Sequence, residues 1–170
     1  MRISGGIVSH AIFRQATPSD IDRCYEIESA AYPADEAATR EKIAIRIARY
    51  PQGFLCMEQD GDIIGFINAG CAWDVVMSDE EFKELVGHDP QAPNAVIMSV
   101  VLDPDYQGKG LSTAMMQAFI EHMRQQGKTA IYLMCKAQYL EMYKRFGYQF
   151  LKKSDSTHGG EAWFEMRQSI

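Results

Sequence analysis

The apolar run Val96-Ile97-Met98-Ser99-Val100-Val101-Leu102 predicts a buried strand. Asp103-Pro104 ends it, because proline lacks an N–H for a sheet ladder and restricts the residue before it. After Gln107-Gly108-Lys109-Gly110-Leu111-Ser112, apolar residues recur at helical spacing over 111–126. Met115, Met116, Phe119, Ile120 and Met123 face inward there, and Gly127 stands where a helix stops. Upstream, residues 11–16 suit a first strand. Thr17-Pro18-Ser19-Asp20 then carries a helix-start signal, followed by the stripe Ile21, Cys24, Tyr25 and Ile27. Tyr32-Pro33 breaks that helix, and a second is expected over about 36–50, with Ile43, Ile45 and Ile47 along it.

Residues 54–58 and 63–72 read as a hairpin around the Asp60-Gly61 turn. Residues 74–94 are less regular. They hold a short acidic helix expected over 78–86, with Ser78 as cap and Glu81 three residues on, in an insertion long enough to wall or cover a site. A strand over 129–134, a helix over 138–146 closed by Gly147, and strands over 148–151 and 162–166 complete the chain. The order β-α-α-β-β-β-α-β-α-β-β predicts a mixed α/β sheet with helices packed on it. Residues 1–10 read as a loose tail, and 11–170 as a single domain.

Composition narrows the chemistry. The chain is 46% apolar and 24% charged, as an ordinary globular protein is. A net charge of -6 argues against nucleic acid as a partner and suits a cationic ligand. No apolar run is long enough for a membrane helix, so no membrane partner is expected. Cys24, Cys56, Cys71 and Cys135 form no C-x-x-C pair, and histidines are few. No metal site is expected, and a cytoplasmic protein with reduced, buried thiols is the economical reading.

A strand feeding a Gly-rich turn that opens a helix is a recipe for an anion site. Glycines allow close backbone approach, and unpaired N–H groups at the helix start point at the ligand. The expected anion is a phosphate or pyrophosphate; the alternative is a mere connection whose glycines only make the turn. Lys109 can supply charge near a phosphate or be a solvated turn lysine. The turn is not a nucleotide P-loop, because Lys109 precedes the second glycine.

The spacing strand–QGKGLS–helix–strand–helix–YKRFGY resembles the GNAT superfamily of N-acetyltransferases from Ile12 onward. That family's motif, Gln or Arg, two residues, Gly, one residue, Gly or Ala, falls on Gln107, Gly110 and Ser112. Ser112 departs from the pattern but is small. The resemblance implies an acyl-CoA N-acyltransferase fold, a splayed central sheet with helices on both faces. It also implies acetyl-coenzyme A as co-substrate, with Val100, Val101 and Leu102 along its pantetheine arm and Gln107, Gly108, Lys109, Gly110, Leu111 and Ser112 at its pyrophosphate. Leu133-Met134-Cys135, Tyr143 to Tyr148 and the stretch GCAWD at 70–74 are similar to the arylalkylamine N-acetyltransferase branch. That branch implies a small primary amine as acceptor, attacking directly in a ternary complex, and Tyr143 as the catalytic tyrosine. Its vertebrate members' histidine pair falls at about Val96 and Met98 here, so the pair is absent and no base is assigned.

Amine acetylation needs a neutral amine, a polarised thioester carbonyl and a stabilised leaving thiolate. Tyr143 is either a core aromatic or the proton donor to the thiolate, and the family match favours the donor. For the base, Glu26 and Glu28 lie at i and i+2 and cannot share a helix face, while Asp35, Asp74 and His88 lie in loops that can rim a pocket. Ser99 can line a proton channel or be a satisfied strand hydroxyl. Cys135 reads as a structural thiol. Tyr32, Trp73, Met98, Ser99 and Tyr139 are the candidate acceptor contacts. A protein or peptide acceptor, a non-catalytic coenzyme A module and a homodimer stay open.

Overall fold

The computed structural model describes residues 11–170. The tail expected over 1–10 lies outside them. Seven strands form one sheet: β1 (Ala11–Gln15), β2 (Phe54–Gln59), β3 (Asp62–Ala72), β4 (Asn94–Leu102), β5 (Ala130–Cys135), β6 (Gln149–Lys153) and β7 (Phe164–Ser169). Their order is β1-β2-β3-β4-β5-β7-β6. Neighbours are antiparallel except β4 and β5, which run parallel. Four helices, α1 (Ile21–Ala31), α2 (Arg40–Arg49), α3 (Leu111–Gln125) and α4 (Leu140–Arg145), complete the mixed α/β architecture.

The two-residue alternation of strand side chains sorts the core into two layers. Leu55 and Met57 of β2 join Met115, Met116, Phe119 and Met123 of α3 on one face. Phe54 and Cys56 join Cys24 and Ile27 of α1 and Ile43 and Ile47 of α2 on the other. Helices thus cover both faces, as expected. The β2–β3 turn also forms as expected, with Asp60 and Gly61 at φ of 52° and 86°, the positive values a two-residue hairpin turn requires.

Two features of β4 open the sheet. Its pairing with β5 is limited to Asn94–Val96 against Ala130–Tyr132, so the two strands diverge beyond Val96. Its pairing with β3 shifts register where Ser99 faces Asn68 and Ile97 faces Ala69, leaving Met98 as the extra residue of a bulge. A bulge bends its strand, and this one sits at the start of the divergence.

Three expected helices differ in extent. The second begins at Arg40 rather than near 36, because extended Thr39 caps it by accepting from the Lys42 N–H at 3.2 Å. Residues 36–38 stay in the preceding turn, where the Ala38 N–H donates to the Glu28 carboxylate. The helix expected over 78–86 is one short 3-10 turn, Glu80–Glu84, capped by Asp79 rather than Ser78 and ended by Leu85 at φ 63°. Phe82 and Leu85 of this insertion pack onto Gly70, where a Cβ would lie 2.8 Å from the Phe82 ring. The helix expected over 138–146 is a 3-10 turn, Ala137–Tyr139, running into the six-residue α4.

Candidate active site

The opening between β4 and β5 holds two cavities that meet. The larger, about 290 Å³, runs along β4 to the start of α3 and is lined by Val100, Leu102, Gln107, Ser112, Met115, Met142 and others. The smaller, about 120 Å³, lies over the bulge between α1, α2 and the 74–94 insertion. Tyr32, Val100, Met134, Tyr143 and Trp163 line both.

The edge of β4 beside the larger cavity carries backbone groups that have lost their sheet partner. The Val100 carbonyl accepts from the Tyr32 hydroxyl at 2.5 Å, and the Leu102 carbonyl from the Gln107 side-chain amide at 3.2 Å. Residues two apart on a strand present their polar groups to the same side, so this edge can take an added extended chain. Val101 faces the opposite way into the α1–α2 core at 1% exposure, lines neither cavity and turns its backbone toward Gly65 and Phe66 of β3, so unlike Val100 and Leu102 it offers this edge no polar group.

Beyond the strand, Gly108 and Gly110 adopt φ of 78° and 75°, and a Cβ on either would meet nothing within 4 Å. They are glycines because of backbone conformation, not crowding. Gly110 caps α3 without a side-chain hydrogen bond, so the first N–H groups of this fifteen-residue helix have no side-chain cap. Gln107 and Ser112 reach the cavity wall, whereas Gly108, Lys109, Gly110 and Leu111 stand outside it. Lys109 places Nζ 5.3 Å from the centre of the Tyr106 ring.

Tyr143 projects from α4 to the junction. It is 7% exposed, with Phe146 and Tyr148 rings edge-on at 6.0 and 5.8 Å. Its hydroxyl makes no hydrogen bond to any described residue, although the ring lines both cavities. Burial holds the phenol well above its usual pKa, so it is protonated at neutral pH.

The smaller cavity contains charges: Glu28, one of the base candidates, and Glu36 and Arg46, which sequence reasoning did not single out. Glu28 is 2% exposed; one oxygen accepts from Ala38 N–H and the other, Oε1, has no partner. It points away from solvent because it follows Cys24 and Ile27 round the buried stripe of α1. Glu26, by contrast, is exposed and pairs with Arg23 at 2.6 Å. Glu36 pairs with Lys136 at 2.8 Å through Oε2, and its Oε1 also lacks a partner. Arg46 of α2 is 2% exposed, and its Nε donates to the Lys83 carbonyl at 3.0 Å. Nη1 lies 3.2 Å from Ser99 Oγ and 3.4 Å from Asn68 Oδ1. Burial lowers its pKa to about 10, with Glu28 acting in the opposite direction.

Of the proposed acceptor contacts, Tyr32, Met98 and Ser99 line the smaller cavity, with Ser99 committed to Arg46. Tyr139 lines only the larger cavity. Trp73 lines neither: it is 62% exposed and its indole N–H is bonded to Asp89 at 3.0 Å, because β3 ends before it. Trp163, which sequence reasoning did not single out, lines both cavities instead, with its N–H fixed on the His158 carbonyl at 2.8 Å. Asp35 and Asp74 are exposed and line neither cavity. His88 anchors the insertion instead of rimming a site. Its Nδ1 accepts from Cys71 N–H at 2.8 Å, and its ring lies 4.3 Å from that of Tyr50. All four cysteines are free and buried, and burial pushes the Cys135 thiol up to about 11, which makes it inert. The insertion does wall the smaller cavity, through Val76, Met77, Asp79, Phe82 and Lys83.

A parted strand pair leading to an uncapped glycine turn is the geometry that the sequence resemblance implied. The acetyltransferase (GNAT) family model matches residues 21–148, about three quarters of the chain. The chain belongs to the GNAT acetyltransferase family. An uncharacterized N-acetyltransferase of Methanocaldococcus jannaschii is 27% identical over 146 residues, 80% of this chain and 59% of that protein, so the chain spans under two thirds of this relative's length. Among solved structures, the loading GNATL domain of CurA from Lyngbya majuscula superposes with a TM-score of 0.82 at 14% identity, covering 94% of this chain and 98% of that one. The PaiA N-acetyltransferase of Thermoplasma acidophilum, in complex with coenzyme A, gives 0.68 at 17% identity, covering 95% and 99%. At these identities the structures establish the GNAT fold. Among the described residues no helix is long and apolar enough to cross a membrane, and no three His, Cys, Asp or Glu side chains cluster as a metal site would.

Proposed function

We propose that this GNAT chain transfers the acetyl group of acetyl-coenzyme A to the primary amine of a small molecule, by direct attack in a ternary complex. The carrying observation is the uncommitted Tyr143 hydroxyl at the junction of the two cavities. The larger cavity takes the co-substrate. The edge of β4 at Val100 and Leu102, parted from β5 and now bonded only to the Tyr32 and Gln107 side chains, receives the pantetheine arm, and the turn from Gln107 to Ser112 receives the pyrophosphate on N–H groups of the helix start. Tyr143, protonated at neutral pH, donates a hydrogen bond to the leaving sulfur. Backbone N–H groups at the β4 bulge polarise the thioester carbonyl.

The smaller cavity takes the acceptor. Glu28 Oε1 is a buried carboxylate oxygen without a partner, suited to attract an ammonium ion and accept its proton. This supplies a base from α1, where the resemblance offered none. Met98, Val96, Met134, Tyr32 and Trp163 give the cavity an apolar and aromatic lining that fits an arylalkylamine. The wall formed by the 74–94 insertion favours a small acceptor over a peptide, which needs an open groove. The test mixes protein, acetyl-coenzyme A and either amines or peptides, and follows thiol release. Release with phenethylamine or tryptamine and not with peptides is expected. Tight coenzyme A binding with no release from any acceptor would overturn the enzymatic reading in favour of a binding module.

A further inference from the structure

The smaller cavity holds two buried side chains of opposite charge that form no direct ion pair with each other. Arg46 and Glu28 are each 2% exposed and line the same cavity, yet Arg46 makes no ion pair among the described residues. A guanidinium carries five N–H donors. Three of them meet the Lys83 carbonyl, Ser99 and Asn68, while the two on Nη2 have no partner among the described residues. Beside it, Asn68 Nδ2 is a further donor with no acceptor. Lys42 and Lys83 also line the cavity, as do Glu36 and Asp79; Lys83 is paired with Glu80 and Glu36 with Lys136. Burying an arginine without a counter-ion is costly unless something completes its surroundings. The lowered pKa of Arg46 expresses the same cost.

We propose that the acceptor carries a carboxylate beside its amine, and that Arg46 seats this carboxylate while Glu28 faces the amine. The proposal rests on the acetyl-transfer reading and deepens it: the substrate class becomes amino-carboxylates, such as amino acids, rather than plain amines. The free N–H groups of Nη2 give a carboxylate charge-assisted donors, and a guanidinium, unlike an ammonium, keeps its charge when buried, which is why arginine rather than lysine suits the task. A carboxylate on the acyl group of the co-substrate has the same chemistry, so the experiment separates the two sources.

Paired ligands that differ only in the carboxylate are titrated calorimetrically into protein saturated with coenzyme A: tryptamine and tryptophan, phenethylamine and phenylalanine, ethylamine and β-alanine. In at least one pair the carboxylated member binds about tenfold tighter or more, as expected for a charge-assisted contact. Arg46→Gln brings that pair level, and Arg46→Lys restores part of the difference. Circular dichroism checks that both variants fold. Equal or better binding of the plain amine in every pair overturns the proposal in the unaltered protein, whatever the variants do. In a second arm malonyl-coenzyme A competes with acetyl-coenzyme A in the absence of acceptor. An Arg46-dependent preference found only there overturns the assignment to the acceptor. Thiol release distinguishes the two levels of the reading. Carboxylate-selective binding without release from any amine removes acetyl transfer but keeps the seat. Release that ignores the carboxylate keeps acetyl transfer and removes the seat.

Discussion

Removing one oxygen at the cavity junction separates chemistry from folding. Tyr143→Phe deletes a hydroxyl that bonds to no described residue and leaves the ring contacts with Phe146 and Tyr148 at 6.0 and 5.8 Å. No protein hydrogen bond is lost and a buried polar group disappears, so stability should change by no more than about 1 kcal/mol. Coenzyme A affinity should hold within about threefold, since the β4 edge and the glycine turn are untouched. A positioned acid is worth about 100- to 10,000-fold in rate. In the proposed mechanism the leaving thiolate, with an ordinary pKa of about 8.5, takes a hydrogen bond from a phenol that burial keeps protonated. The expected loss in kcat is therefore about 100-fold or more, close to 3 kcal/mol of barrier. The assay is thiol release under saturating acetyl-coenzyme A, with a thermal midpoint and a coenzyme A titration on the same sample. Turnover within about threefold of the parent would refute the role of Tyr143. So would a rate loss matched by an equal loss of affinity or of fold.

Other outcomes follow from the same geometry. Glu28→Gln keeps an oxygen for the Ala38 N–H but removes the buried charge, and should lower kcat/KM about 100-fold with coenzyme A affinity unchanged; unaltered turnover in the thiol assay would return the base to solvent. Gly110→Ala forces a side chain onto φ 75° and should cost about 1 kcal/mol of stability while raising the KM for acetyl-coenzyme A about tenfold, kcat staying near its parent value. His88 is held neutral, its pKa lowered first by burial and then by Arg49 and Lys128. Its contribution is thus full above the unfolded value of about 6.5 and is lost as pH falls below it toward the folded value. Thermal midpoints measured from pH 8 down to 5.5 should drop more steeply for the parent than for His88→Asn, which retains an acceptor for the Cys71 N–H.

The strand, the glycine turn and α3 were legible because each follows from local rules: an apolar run, positive-φ glycines and a helical stripe. Tyr143 was legible only through a motif. Its ring contacts make it a core aromatic, and its free hydroxyl keeps it a candidate acid, so the two readings do not exclude each other. Glu28 was weighed as a base but read as a solvated charge, and Arg46 was not singled out, for a common reason. Glutamate and arginine on a helix are read as solvent-facing, and only the packing of α1 and α2 over the β4 bulge turns these two inward. The bulge itself left no mark in the sequence, since Met98 fits a regular strand as well as a bulged one. Trp73 was expected at the pocket and Trp163 was not singled out, because the end of β3 and the path of the loop before β7 are set by pairing between distant segments.

The most direct test is a structure of the protein with coenzyme A and an amino-carboxylate bound together. The coenzyme A sulfur should lie within hydrogen-bond reach of Tyr143 Oη, roughly 3.5 Å, with the pyrophosphate over the turn from Gln107 to Ser112 and the amine on the Glu28 side. A sulfur far from Tyr143, or an acceptor bound outside the cavity that holds Glu28 and Arg46, would contradict the account.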